Sequence, residues 1–334
     1  MAGSGRSAVA RQGAAAKLPA AATALDALLV ATSRTFAVSI PLLPERVRRE
    51  ITIAYLLFRI ADTFEDATRW PAARRVEALA TFERLLAGGS IGETLAEAAR
   101  WAADPPCDHP GYLDLLAQAP EVFRELWARP QEVRAAIVRH SIRTAQGMAA
   151  YVERTSERGE LRLRDLDDLR RYCYVVAGIV GEMLTDLFLL AWPPLQPHEA
   201  EMIRCGRLFG EGLQLVNVLK DADSDARDGR LYLPSGICRR ELYGLARSDL
   251  DAGLEYVLEL QEGGSPRGFI RFVLLPLFLA WGTLGRIEEH GSGSKLSRPE
   301  VARVLASVEH GLWGDGPLSR PALRAAYDRL ALER

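Results

Sequence analysis

Two acidic clusters constrain this chain more than any other feature. Each has aspartates four residues apart, and each lies on an apolar run with helical patterning. The first is Asp62-Thr63-Phe64-Glu65-Asp66. The second is Asp221-Ala222-Asp223-Ser224-Asp225, preceded by Gln214 and Asn217. Four-residue spacing puts both carboxylates of a cluster on one helix face. Like charges repel there, so a core helix gains nothing from the pattern. Two such faces turned toward each other would hold hard cations through oxygen ligands. Mg²⁺ takes one or two carboxylates and completes its shell with water and substrate phosphate oxygens. The arrangement therefore suggests a site that binds, and could ionise, a diphosphate.

The rest of the sequence agrees with an all-helical chain. Helical periodicity runs through Leu25 to Val30, Val47 to Thr68, Arg74 to Leu86, Pro120 to Thr155, Leu166 to Ala191, His198 to Asp223, Phe269 to Glu289 and Pro299 to Leu312. No alternating β-branched run competes. Breakers fall between segments, at Asp104-Pro105-Pro106, Trp192-Pro193-Pro194, Gly263-Gly264-Ser265-Pro266 and Gly291-Ser292-Gly293-Ser294. None is long enough to link two domains, so we expect a single all-α domain over residues 23–334. Residues 1–22, rich in Ala, Gly and Ser, read as a disordered tail without the apolar centre of a signal peptide. Several helices are apolar nearly all round, as in the middle of a multi-helix bundle.

The formal charge of −2 gives no electrostatic case for nucleic acid. Cys107, Cys173, Cys205 and Cys238 have no CxxC spacing and suit a reducing, cytoplasmic setting. The histidines are scattered without an HxxxH pair, which argues against zinc. The apolar stretch Phe269 to Leu284 is interrupted by Arg271 and Pro276 and reads as too short to span a bilayer. We expect a soluble chain, with peripheral membrane contact left open, and either a monomer or a homodimer.

In the second cluster, at ~100° per residue, Gln214, Asn217, Asp221 and Asp225 make one polar stripe on an otherwise apolar helix. Either this is a helix end entering a solvated acidic loop, or a metal supplies the counter-charge that buried carboxylates need. Arg59, three residues before Asp62, is either its surface ion-pair partner or a bidentate phosphate ligand. Glu65 is either a ligand or solvated. In Tyr172-Cys173-Tyr174-Val175-Val176-Ala177-Gly178-Ile179-Val180-Gly181 the glycines signal close helix packing or room for a long apolar ligand, and Tyr172 is a phenol needing a partner. Ser33-Arg34-Thr35-Phe36 suits anion binding or a helix end. Arg230, in Gly229-Arg230-Leu231-Tyr232-Leu233-Pro234, is either a surface arginine or one that swings over a bound phosphate.

Taken in order, these segments resemble the squalene/phytoene synthase family. Ser33-Arg34-Thr35-Phe36 resembles its S-[RK]-[ST]-F motif, and YLLFRIADTFED its first aspartate-rich helix, in a form similar to squalene synthases. YCYVVAGIVG and GLQLVNVLKDADSDARDGRLYLP resemble its later helices, and Lys295-Leu296-Ser297-Arg298 a late basic segment. The resemblance covers roughly Ser33 to Arg298.

The resemblance implies an all-α isoprenoid synthase fold around a central cavity. Asp62, Asp66, Asp221 and Asp225 would be the metal-linked carboxylates, with Glu65 and Asn217 as further candidate ligands and Gln214 in support. Mg²⁺ is the expected ion, with Mn²⁺ as an alternative. Ser33, Arg34, Thr35, Arg59, Gln214, Asn217, Arg230, Lys295 and Arg298 would bind diphosphate. Phe36, Val176, Ala177 and Gly178 would line the cavity, and Tyr172 would assist the first half-reaction. The implied activity is head-to-head (1'-1) condensation of two farnesyl diphosphates through presqualene diphosphate to squalene or a related C30 product, with NADPH as an optional reductant. Rivals are phytoene formation from geranylgeranyl diphosphate, another cation fate on the same fold, and a non-catalytic lipid-binding or assembly protein. Lys220 stands where the family has arginine, and Ser224 where many members have glutamate. The C-terminal anchor of eukaryotic squalene synthases is not matched.

Overall fold

The computed structural model describes residues 23–156, 160–311, 317–330 and 332. The expected N-terminal tail lies outside them. The chain runs through α1 (Ala24–Thr32), α2 (Phe36–Ser39), α3 (Glu45–Glu65), α4 (Ala72–Gly88), α5 (Ile91–Ala103), α6 (Pro110–Ala117), α7 (Ala119–Trp127), α8 (Gln131–Val152), α9 (Leu166–Cys173), α10 (Ile179–Ala191), α11 (Glu199–Arg227), α12 (Arg239–Glu262), α13 (Arg267–His290), α14 (Arg298–Glu309) and α15 (Arg320–Asp328). Among the described residues the only strands are β1 (Leu161–Arg162) and β2 (Arg230–Leu231), a two-residue parallel ladder.

Local chemistry sets the boundaries. The expected helix Pro120 to Thr155 is two helices, because Pro130 lacks an amide and disfavours helical geometry at Arg129, so α8 starts afresh behind it. The expected helix Leu166 to Ala191 is continuous but bulges. A π-helical turn over Tyr174–Gly178 joins α9 to α10, a device common beside functional sites. One of its carbonyls, that of Val175, accepts from Thr144 Oγ1 at 3.2 Å.

At 29 residues α11 is the longest helix, roughly 43 Å from end to end. It lies against α10, α12 and α13. Its crossing with α10 is backbone to backbone. A Cβ added at Gly181 would lie 2.0 Å from the Gly206 carbonyl oxygen, and one at Gly210 would lie 2.3 Å from that of Ala177. The glycine-bearing segment thus packs closely on α11.

The stretch expected to be too short for a bilayer needs correction. Helix α13 runs straight through Arg271 and Pro276. It and the span Leu166–Ala191 are both long and apolar enough, by length and composition, to cross a membrane. In α13, 72% of that window is buried inside the protein, as in a core helix.

Arg154, just past α8, and Arg164, just past β1, are tied to the start of α9 through one buried carboxylate. Asp168 is 1% exposed and accepts from Arg154 Nη1 at 2.9 Å, the Arg164 amide at 3.0 Å and Arg164 Nε at 3.1 Å. Burial raises its pKa, but these bonds outweigh burial and hold it below the usual carboxylate range. We expect Asp168→Asn to cost about 2 kcal/mol, since the arginines keep only part of their bonding. A depressed folded-state pKa gives stability that is complete above the unfolded value of about 3.9 and is lost as pH falls below it. Urea midpoints of wild type and variant should thus differ by a constant amount above about pH 5 and converge in acid. A gap that widens in acid would contradict the assignment.

Candidate active site

Helix α3 delivers Tyr55, Arg59, Asp62 and Asp66 at successive turns. The Tyr55 hydroxyl donates to the Thr32 carbonyl at 2.9 Å and accepts from Arg59 Nε at 3.3 Å. Arg59 Nη1 stands 3.2 Å from Asp62 Oδ2, so the ion-pair alternative describes Arg59 here. Asp66 caps the C-terminus of α3, whose last turn holds no basic residue. The macrodipole there is negative, so these carboxylates face both one another and the helix end. Burial raises Asp62 to about 6, with Arg59 opposing and Asp66 adding to the shift.

Glu65 is 5% exposed, which excludes the solvated alternative. It accepts from the Tyr172 hydroxyl at 3.3 Å. Arg75 donates to its backbone carbonyl. Burial first, then Asp66 and Asp62, push its carboxyl well above the usual range.

The second cluster also sits at a helix C-terminus. Lys220 Nζ lies 3.2 Å from Asp221 Oδ2 and 3.2 Å from Asn217 Oδ1, engaging two oxygens of the expected donor set. Burial raises Asp225 to about 6, Arg230 opposes this, and Asp221 and Asp66 add to it.

The two clusters meet at Arg230. Its Nη1 lies 2.8 Å from Asp66 Oδ1 and its Nη2 lies 3.7 Å from Asp225 Oδ1, so these carboxylates stand one guanidinium apart. The β ladder holds Arg230 in place. The surface-arginine alternative is thereby corrected, because opposed carboxylates turn the side chain inward. The donors are all oxygen and come from the C-terminal turns of two helices, and burial raises Asp62 and Asp225 among them. That set fits a hard divalent ion such as Mg²⁺ or Mn²⁺.

Behind the clusters lies a largely apolar cavity of about 230 Å³. Arg59, Asp62, Gln214 and Asn217 form its polar rim, and Phe36, Tyr55, Val176 and Ala177 are part of its wall. Along α11 it runs from Asn217 back to Gly206, roughly 16 Å at 1.5 Å per residue. Phe188, Tyr256, Phe272 and Pro276 face it.

One residue expected in the cavity wall lies elsewhere. Gly178 is absent from the wall. A Cβ there would meet Tyr174 Cδ2 at 2.7 Å and Glu211 Cγ at 3.2 Å, because the π turn rotates it toward α11. The Ser33 hydroxyl accepts from the Phe36 amide at 2.9 Å, a helix-end role, and Thr35 is half-buried beside it. Arg34, Lys295 and Arg298 are exposed. The glycine-serine loop before Lys295 docks on α11 beside the second cluster, where the Lys220 carbonyl accepts from the Gly293 amide at 2.7 Å and from Ser292 Oγ at 3.0 Å.

The Tyr172 ring is 3% exposed and lies outside the apolar wall. Its hydroxyl is between Glu65 and the Tyr232 hydroxyl, which is 3.0 Å away. Glu65, Arg75, Arg230 and Tyr232 line a second, polar cavity of about 190 Å³ beside the first cluster. Sequence reasoning gave Tyr55 and Tyr232 no role. Two-residue spacing from Arg230 on an extended segment could have flagged Tyr232.

Among the described residues, one further group of three donors, His198, Glu259 and Glu262, could hold a metal ion. His198 sits at the opposite end of α11 from Asp225, and its Nδ1 pairs with Glu259 Oε2 at 2.7 Å.

The fold is similar to that of a solved TcSQS structure with bound ligand, at TM-score 0.72 and 22% identity over 93% of this chain and 91% of that one. It is also similar to a dehydrosqualene synthase structure, at TM-score 0.56 and 19% identity over 86% and 95%. In sequence the chain is similar to squalene synthase of Schizosaccharomyces pombe, 29% identical over 63% of this chain and 43% of that protein. Squalene synthase BSS of Botryococcus braunii is 31% identical over 67% and 44%. The matched segment thus spans less than half the length of these curated relatives. The family model for squalene/phytoene synthase matches residues 29–252, a segment holding both aspartate clusters, Tyr172 and Arg230. The chain belongs to the squalene/phytoene synthase family.

Proposed function

We propose that this chain is a prenyltransferase that joins two allylic prenyl diphosphates head to head (1'-1). Farnesyl diphosphate is the substrate and presqualene diphosphate the intermediate on the way to squalene or a related C30 product. One observation carries the reading: two carboxylate-bearing helix ends, bridged by Arg230, stand beside the polar rim of an apolar cavity. That arrangement suits a molecule with an anionic head and a long hydrocarbon tail.

Asp62, Asp66, Asp221 and Asp225 would hold Mg²⁺ or Mn²⁺, with Asn217 and Gln214 alongside. When bound, the ion would neutralise charge developing on the departing diphosphate. Arg230 and Arg59 are held by aspartates here and would turn to diphosphate oxygens once those carboxylates have another cation. The apolar walls keep water from the allylic cation, which the second substrate's double bond attacks at C1. Proton loss closes the cyclopropane. Tyr172, beside the first cluster, would assist that proton transfer.

The test is incubation of purified protein with C15 and C20 diphosphates, with and without NADPH, and identification of the lipids by mass. C15 diphosphate should be consumed preferentially. Presqualene diphosphate or an unreduced hydrocarbon should accumulate without NADPH, and squalene should appear with it. Phytoene from the C20 substrate in equal yield would move the assignment to a phytoene synthase. No turnover of either substrate would overturn the enzymatic reading.

A further inference from the structure

Tyr172 has one proton to donate and two oxygens within reach. Glu65 Oε1 lies at 3.3 Å and the Tyr232 hydroxyl at 3.0 Å. Its ring has no freedom to choose between them by tilting. Tyr232 stacks on one side, with centroids 4.7 Å apart and planes at 23°, and Tyr151 packs edge-on with centroids 5.1 Å apart. Tyr232 is itself fixed. It follows β2 directly, and the Leu163 amide donates to the Leu231 carbonyl at 3.1 Å. The same short extended segment carries Arg230 into the carboxylates and, two residues on, the Tyr232 phenol toward Tyr172. Two buried phenols facing each other lose hydration that only a well-placed hydrogen bond restores. Packing alone would be served as well by phenylalanine at position 232.

We propose that Tyr232 is the positioning residue for Tyr172, its hydroxyl fixing the direction of the Tyr172 O–H in the first half-reaction. This rests on the first-step role of Tyr172 proposed above. Tyr232 is not part of the apolar cavity wall and acts only through Tyr172.

Tyr232→Phe keeps the ring stack and removes the hydroxyl. The variant should melt within a few degrees of wild type. The kcat for farnesyl diphosphate consumption should fall roughly tenfold, the scale of one hydrogen bond, with KM unchanged. Presqualene diphosphate supplied directly should be converted at the wild-type rate. In a double-mutant cycle, Tyr172→Phe with Tyr232→Phe should be no slower than Tyr172→Phe alone. If Tyr172→Phe is slow but Tyr232→Phe is normal, or if the two losses multiply, Tyr232 is not the positioning residue while the Tyr172 role stands. If Tyr172→Phe is itself fully active, the Tyr172 role fails and takes this proposal with it. Equal loss in both half-reactions, or a rise in KM with kcat unchanged, would make Tyr232 a packing or binding residue and overturn the inference.

Discussion

Replacing Asp62 or Asp221 by asparagine should lower turnover by roughly 10³-fold, about 4 kcal/mol of transition-state stabilisation, while leaving the fold intact. The two effects separate because the carboxylates are poorly placed for stability. Asp62 lies in the last turn of α3, whose dipole repels it, and burial raises it to about 6, while the Asp221 side chain is half exposed with only a partly exposed Lys220 as partner. An amide of the same shape relieves that repulsion, so the melting temperature should hold or rise as activity falls. Asp62 also gives up its ion pair with Arg59 in the variant. That pair is partly exposed and contributes only a few tenths of a kcal/mol. Activity of the wild-type protein should vanish in chelator and return with added Mg²⁺. Full turnover in chelator would sink the two-cluster reading. So would asparagine variants that lose stability and activity in proportion, since the aspartates would then be structural.

The helices that carry the clusters were legible because their signals are local. Four-residue spacing, apolar periodicity and a glycine-bearing apolar run each lie within one element. What escaped the sequence depends on partners. Helix α12 is charged and contains Gly244 and Gly253, which weaken its helical signal. Gly253 is there because a Cβ would come 2.7 Å from the Phe209 ring, a contact between two helices. The split at Pro130 was readable from proline chemistry and was overridden by the apolar periodicity on either side. The direction of Gly178 could not be read, since a π turn shifts every later residue around the helix axis. Arg230 was expected to swing toward a phosphate, and the structure pairs it with Asp66 and Asp225. Lys295 and Arg298 were grouped with the site by order along the chain, and the loop before them is fastened beside the second cluster through the Lys220 carbonyl, which no side-chain pattern announces.

The phenol of Tyr172 provides the sharpest test of how the site works. Tyr172→Phe keeps the ring between Tyr151 and Tyr232 and removes only the hydroxyl that reaches Glu65 and Tyr232. The three rings should stay packed, and the variant should fold normally. Consumption of farnesyl diphosphate should fall by roughly 10²-fold, the usual scale for a positioned proton-transfer group. Presqualene diphosphate supplied directly should still be converted, because its formation has been bypassed. The split between half-reactions is the informative readout. A phenol that merely steadied positive charge would slow both ionisations, since each leaves a cation in the same cavity. A phenol that merely filled space would slow neither once phenylalanine replaced it. Loss confined to the first half-reaction has one physical source, a proton transferred when the cyclopropane closes. If both halves slow equally, Tyr172 stabilises cations. If neither slows, the proton leaves by another base, of which the released diphosphate is the nearest candidate in chemical terms.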